Sequence, residues 1–139
     1  MIRCVLDTNV AVSALLWQGR PSELFNLASA KAIILISSAP LLAELADVLS
    51  RAKFQHRIAA SKLSVDDILY LYAEKVLSVR PSSVPRIAPD PDDDAVIGTA
   101  LAANADLIVT GDSGLLSVER YRNIRIVTVA EALQLTTSN

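Results

Sequence analysis

Apolar residues along this chain fall into short blocks of two kinds, and the two kinds alternate. The stretches 2–6, 33–36, 107–110 and 124–127 are nearly continuous and rich in β-branched residues. Runs of that length and composition read as strands buried on both faces, as in a parallel sheet. Between them, apolar positions return every three or four residues, the period of a helix. This spacing predicts helices over 10–16, 22–30, 41–51, 64–77, 92–104 and 129–135, and a short one from Leu115. A short strand is expected at 78–80. Asp7-Thr8-Asn9, Ser37-Ser38-Ala39-Pro40 and Thr128 supply the capping chemistry that starts helices. The charged stretch that follows the 41–51 helix reads as a connection between helices. Residues 81–91 hold four of the six prolines and read as an irregular loop, with too little chain after it to build a second core.

Strands alternating with helices predict an α/β fold. The expected architecture is a three-layer α/β/α sandwich around a central, mostly parallel sheet of about five strands, in one domain over 1–139. Composition agrees with a sizeable core: 52% of residues are hydrophobic and mean hydropathy is +0.39. Aromatics are only 4%, so that core must be aliphatic. The net charge of −2 is unlike a strongly basic, non-specific nucleic-acid binder, although it leaves room for a local basic patch. The one cysteine, Cys4, sits in a predicted buried strand and reads as a small hydrophobe. No run approaches the roughly 18 apolar residues of a membrane span. Asp7 and Asn9 interrupt the N-terminal apolar run, which therefore does not read as a signal peptide. No membrane association and a reducing cytoplasm are expected.

The chemistry lies in the acids. Asp7 follows the first strand and Asp112 follows the 107–110 strand, so both belong at the carboxyl end of a parallel sheet, where ligands bind. Helix capping explains Asp7 equally well, and an ordinary turn from Gly111 to Gly114 does the same for Asp112. Glu44 falls at the edge of the apolar face made by Leu41, Leu45, Val48 and Leu49, whereas Asp47 falls nearly opposite that face. Asp90-Pro91-Asp92-Asp93-Asp94 packs four acids into five residues. A helix N-terminus relieves their repulsion by about 0.3–1 kcal/mol per charge; a divalent cation would relieve far more. Helical phase does not choose between Asp93 and Asp94, since each shares a flank with Ile97 and Leu101. Thr110 and Asp112 form a Thr-x-Asp pair in which the hydroxyl can serve a carboxylate or a bound water. Hard cations take carboxylate oxygens, and a pair of them about 4 Å apart would use this many ligands.

Other chemistries find less support. With one histidine, His56, and one cysteine, a zinc site is disfavoured and a Ser-His-Asp triad has no base in place. There is no glycine-rich phosphate loop. An aspartyl phospho-acceptor would want a lysine near the late strand ends, and none lies beyond Lys75.

Taken in order, the residues resemble the PIN-domain family. The opening Met-Ile-Arg-Cys-Val-Leu-Asp7-Thr8-Asn9-Val is similar to that family's first strand. Glu44 matches an acidic position on its third helix. Asp90-Pro-Asp-Asp-Asp94-Ala-Val-Ile is similar to its acidic helix start, and Val109-Thr110-Gly111-Asp112 to its closing motif. The branch most resembled is that of the VapC-like ribonucleases, toxin components of toxin–antitoxin systems. The resemblance implies Mg²⁺- or Mn²⁺-dependent endoribonuclease activity with Asp7, Glu44, Asp94 and Asp112 as catalytic metal ligands. It favours Asp94 over Asp93 through the interval to Asp112, and implies support from Asn9, Thr110 and Asp93. It also implies a homodimer and an inhibitory antitoxin partner. The alternative is a non-catalytic module of the same fold that binds RNA or protein. Because carboxylates repel phosphate, an RNA substrate needs cations elsewhere. Arg20, Arg51, Lys53 and Arg57 are the candidates, joined by His56 and Lys62. Trp17, in a turn beside Arg20 and Pro21, would pack on the core, stack a base or meet a partner.

Overall fold

The computed structural model describes residues 1–85, 90 and 93–137. The middle of the proline-rich loop, with Pro89 and Pro91, and the expected helix start at Asp92 lie outside the described residues.

Six strands form one sheet: β1 (Arg3–Leu6), β2 (Ile34–Ser37), β3 (Val76–Ser78), β4 (Leu107–Val109), β5 (Arg120–Tyr121) and β6 (Ile124–Val127). Their spatial order is β3-β2-β1-β4-β6-β5, and every pairing is parallel except β5 with β6. Chain order runs one way from β1 through β2 to β3, and the other way from β4 to β6. The crossovers therefore diverge at the β1–β4 boundary, which in an open α/β sheet is where a ligand crevice forms.

Among the described residues, eight helices surround the sheet: α1 (Thr8–Leu16), α2 (Arg20–Ser29), α3 (Ala39–Leu49), α4 (Ala52–Ser61), α5 (Val65–Lys75), α6 (Asp93–Ala102), α7 (Ser113–Leu116) and α8 (Val129–Thr137). Strand alternation sorts them into two layers. Cys4, Leu6, Leu35, Leu107 and Val109 join a core with residues of α1, α2, α3, α5 and α8. Val5, Ile36, Ile108 and Ile126 point the other way, into a core with Val96, Ile97 and Ala100 of α6 and Leu115 of α7. The expected three-layer α/β/α architecture is thus present. The sheet carries five parallel strands as expected and gains the two-residue β5, whose flanking Glu119 and Arg122 turn the chain at φ 65° and 54°.

Three boundaries differ from the sequence reading. Helix α3 begins at Ala39, with Ser38 as N-cap, so Pro40 sits inside the first turn rather than at its edge. The expected 78–80 strand is shifted to Val76–Ser78, because α5 ends at Lys75 and the chain pairs with β2 at once. The stretch read as a connection is the helix α4, of which Ile58 alone is buried and Phe54 half-buried. Two large apolar residues in ten make too thin a stripe to announce a helix. No helix among the described residues is long and apolar enough to cross a membrane.

Candidate active site

The β1–β4 boundary is built by backbone first. The Asp7 N–H donates to the Val109 carbonyl at 2.9 Å, which extends the β1–β4 ladder by one step and brings the ends of both strands level. Asp7 then caps α1: its Oδ1 accepts from the Thr8 N–H at 2.8 Å. Its Oδ2 accepts from the Thr110 hydroxyl, also at 2.8 Å. The same hydroxyl accepts from the Asp112 N–H at 3.0 Å. Asp112 caps α7 through Oδ2 and the Leu115 N–H, 2.9 Å apart. Thr110 is wholly buried and Asp7 nearly so, whereas Asp112 is exposed. A single buried hydroxyl therefore couples the two strand-end aspartates.

Both readings of Asp7 hold at once. It is a helix cap, and each of its oxygens keeps a second lone pair that the hydrogen bonds leave unused. The same holds for the capping oxygen of Asp112.

The N-terminus of α6 supplies the opposing wall. Asp93 is its first residue and is 9% exposed. Its carboxyl pKa is pushed from 3.8 up to about 6, first by burial and then by the negative charges of Asp7, Asp112, Asp90 and Glu44. Asp93 thus senses acids from β1, the α7 cap, α3 and the preceding loop simultaneously. Asp94, one residue on, is half-buried. Among the described residues, Asp93 Oδ2 and Asp94 Oδ1 are each enclosed with no hydrogen-bond partner, as is the buried Thr8 hydroxyl. An enclosed carboxylate oxygen with no partner costs on the order of 1–3 kcal/mol or more, unless something else meets it.

These features fit a hard divalent cation: the donors are all oxygen, two carboxylate oxygens are enclosed without a donor, and every charge that shifts Asp93 is negative. The side chains are nonetheless spread. Among the described residues, no three His, Cys, Asp or Glu side chains are gathered closely enough to hold an ion as they stand.

Two residues that sequence reasoning missed tie the walls together. Ser38, the N-cap of α3, makes no side-chain cap. Its hydroxyl lies 2.8 Å from Thr99 Oγ1 on α6, and both side chains are fully buried. Thr99 spends its proton on the Ala95 carbonyl, so Ser38 is the donor. This bond fastens the helix that carries Glu44 to the helix that carries Asp93 and Asp94. A polar residue inside an otherwise apolar helix was the only sequence signal for it.

The candidate RNA-contacting cations lie elsewhere. Arg57 Nε donates to the Leu16 carbonyl at 2.7 Å, at the far end of α1 from Asp7, and its guanidinium covers the Trp17 ring at 5.1 Å. Lys53 stands 5.1 Å over Phe54. Arg51 pairs with Asp47 at 3.6 Å, both exposed. Arg20 opens α2, and Asn9 is exposed on the first turn of α1.

A family model described as "PIN domain" matches residues 3–114, a span that includes all four acids singled out from the sequence. Two solved structures share the fold. One is VapBC2 from Rickettsia felis bound to a DNA fragment from their promoter, with a TM-score of 0.59, 18% identity, and coverage of 91% of this chain and 98% of that one. The other is FitAcB from Neisseria gonorrhoeae, with a TM-score of 0.53, 19% identity and the same coverage. Comparison with curated proteins gives no match.

Proposed function

This chain belongs to the PIN-domain family, and on that premise we propose that it is a metal-dependent endoribonuclease, the VapC-like toxin of a toxin–antitoxin pair. The observation that carries the reading is the start of α6. There Asp93 is held at a pKa of about 6 by burial and four surrounding acids, while Asp93 Oδ2 and Asp94 Oδ1 are enclosed without partners. A fold that only needed capping would have no use for this arrangement.

Asp7, Glu44, Asp93, Asp94 and Asp112 would hold Mg²⁺ or Mn²⁺. A divalent cation there supplies an activated water and charge neutralisation on the phosphoryl oxygens. Thr110 keeps Asp7 oriented and fixes the spacing to Asp112 through one hydroxyl. Below a pH of about 6 the Asp93 carboxyl holds a proton while the acids face one another uncompensated, and a cation there would favour the ionised form. Asn9, on the exposed first turn of α1, is a supporting ligand. Asp93 thereby takes a full share that the family's spacing alone assigned to Asp94. The cytoplasm, a homodimer and an antitoxin partner belong to this same reading; the fold shared with VapBC2 supports the last of these.

A second reading, a non-catalytic module that binds RNA or protein, draws on the spread of the carboxylates, no three of which among the described residues are gathered to hold an ion. The experiment that separates the two is RNA cleavage with Mn²⁺ or EDTA, by the wild type and by Asp7→Asn. We expect cleavage only by the wild type and only with the cation, with circular dichroism unchanged in the variant. A folded Asp7→Asn protein that cleaves at the wild-type rate overturns the proposal.

A further inference from the structure

The only tryptophan of the chain is not spent on the core. Trp17 is the C-cap of α1 and 41% exposed. It meets Phe54 of α4 edge-on at 5.9 Å and carries the Arg57 guanidinium over its ring. Beside it opens a cleft of about 600 Å³ whose lining includes Trp17, Gln18, Ser22, Glu23, Asn26 and Arg57. That volume is within the roughly 300–1,000 Å³ of small-ligand sites. Gln18 and Asn26 are exposed amides, which offer paired donors and acceptors. Glu23 is the one acid among these residues.

The cleft borders an unusual helix. Residues 51–64 contain Arg51, Lys53, Arg57 and Lys62 and no acid, in a chain whose net charge is −2. Helix α4 lies almost wholly in solvent, with Ile58 alone buried. Arg57 is committed to α1 and Trp17 and Arg51 pairs with Asp47, whereas Lys53, over the Phe54 ring, and Lys62, the C-cap of α4, are exposed cations without an ion-pair partner among the described residues. An aromatic ring, amides and a cationic helix together are the parts that single-stranded nucleic acid binds: bases stack on the ring and phosphates follow the charge.

We propose that the cleft beside Trp17 is a subsite for one unpaired base of an RNA strand, stacked on the indole with its edge on Gln18 and Asn26, while Lys53 of α4 and Lys62 at its C-cap receive the neighbouring phosphates. The polymer's identity rests on the ribonuclease reading. The surface favours RNA over a peptide because amides, a hydroxyl and a guanidinium stand beside the ring in this lining, and the neighbouring helix is cationic. Helix α1 spans the nine residues from the carboxylates to Trp17, about 14 Å. That is about four nucleotides at the ~3.4 Å spacing of a stacked strand, so the subsite would read a base several positions from the scissile bond.

Because Trp17 is the sole tryptophan, its fluorescence reports on this cleft alone. The test is titration of the full chain in EDTA with a single-stranded octaribonucleotide, where no hydrolysis takes place. We expect saturable quenching and a Kd weakened about 5- to 150-fold by Trp17→Ala, read by anisotropy of labelled RNA. Since Trp17 packs on Phe54, the exposed double variant Gln18→Ala/Asn26→Ala serves as the fold-safe check and should weaken binding in the same direction. Lys53→Ala should lower the salt slope by about 0.7. RNA binding without quenching, or with an affinity indifferent to the double variant, overturns the subsite. So does saturable quenching by an acidic amphipathic peptide with none by RNA, which would assign the cleft to a protein partner. Quenching by RNA in a protein that never cleaves it would overturn the ribonuclease reading and leave the subsite standing.

Discussion

Replacing Asp93 by asparagine should make this protein more stable at neutral pH, and the gain should vanish in acid. The native carboxyl pKa is raised from 3.8 to about 6, by burial and by Asp7, Asp112, Asp90 and Glu44. The folded state therefore binds the Asp93 proton more tightly than the unfolded chain does. The associated stability is fully present below pH 3.8 and is lost as pH rises through about 6. Two units at 1.36 kcal/mol each set a ceiling of about 3 kcal/mol. Salt screens the mouth of the site, so the expected effect is on the order of 1–2 kcal/mol. Urea unfolding of the wild type and Asp93→Asn from pH 4 to 8 in EDTA measures it. The difference between the two proteins matters, because the lowered pKa values of Asp67 and Glu131 act in the opposite sense in both. Asn should match the wild type near pH 4 and exceed it by 1–2 kcal/mol above pH 7. A difference independent of pH, or a less stable variant at pH 7.5, would refute the account of Asp93 as a strained acid.

Other substitutions test the frame around the acids. Thr110→Val removes the hydroxyl shared by Asp7 and the Asp112 N–H. It should cost about 1–3 kcal/mol in urea unfolding, and a change below 0.5 kcal/mol would show that the hydroxyl does not couple the two strand ends. Gly98→Ala, within α6, would ordinarily gain up to about 1 kcal/mol of helix propensity. Here the new Cβ would collide with the Ser82 backbone carbonyl, so we predict a net loss of about 1–3 kcal/mol by the same assay. A stabilised Gly98→Ala would mean that the 81–84 segment does not rest on α6.

The parts of this protein that were legible in its sequence are those where one residue type serves both pattern and site. Strand β4 is an unbroken apolar run and β1 is one apart from Arg3, so Asp7, Thr110 and Asp112 could be placed at the sheet's carboxyl end from spacing alone. Helix α4 escaped because Phe54 and Ile58 are its only inward apolar residues, too few to set a period. The choice between Asp93 and Asp94 was not decidable by phase because α6 is buried on nearly every side, with Val96, Ile97, Gly98, Thr99 and Ala100 all enclosed. A helix without a solvent face gives a wheel no direction; only the tertiary placement shows Asp93 turned toward the other acids. The Ser38–Thr99 bond spans 61 residues and could not be paired by any local rule. The cations after α3 were visible as a cluster, but not that Arg57 is bound to the end of α1.

The central claim is that these acids, two of which also cap helices, serve one cation site. Isothermal titration with Mn²⁺ tests it most directly, on the wild type, Asp7→Asn and Asp93→Asn. The account predicts saturable binding to the wild type at one or two ions per chain, with protons released on binding near pH 6. Either substitution should weaken it by at least tenfold, about 1.4 kcal/mol. A folded wild-type protein that takes up no Mn²⁺, or binding that both variants retain unchanged, would contradict the account.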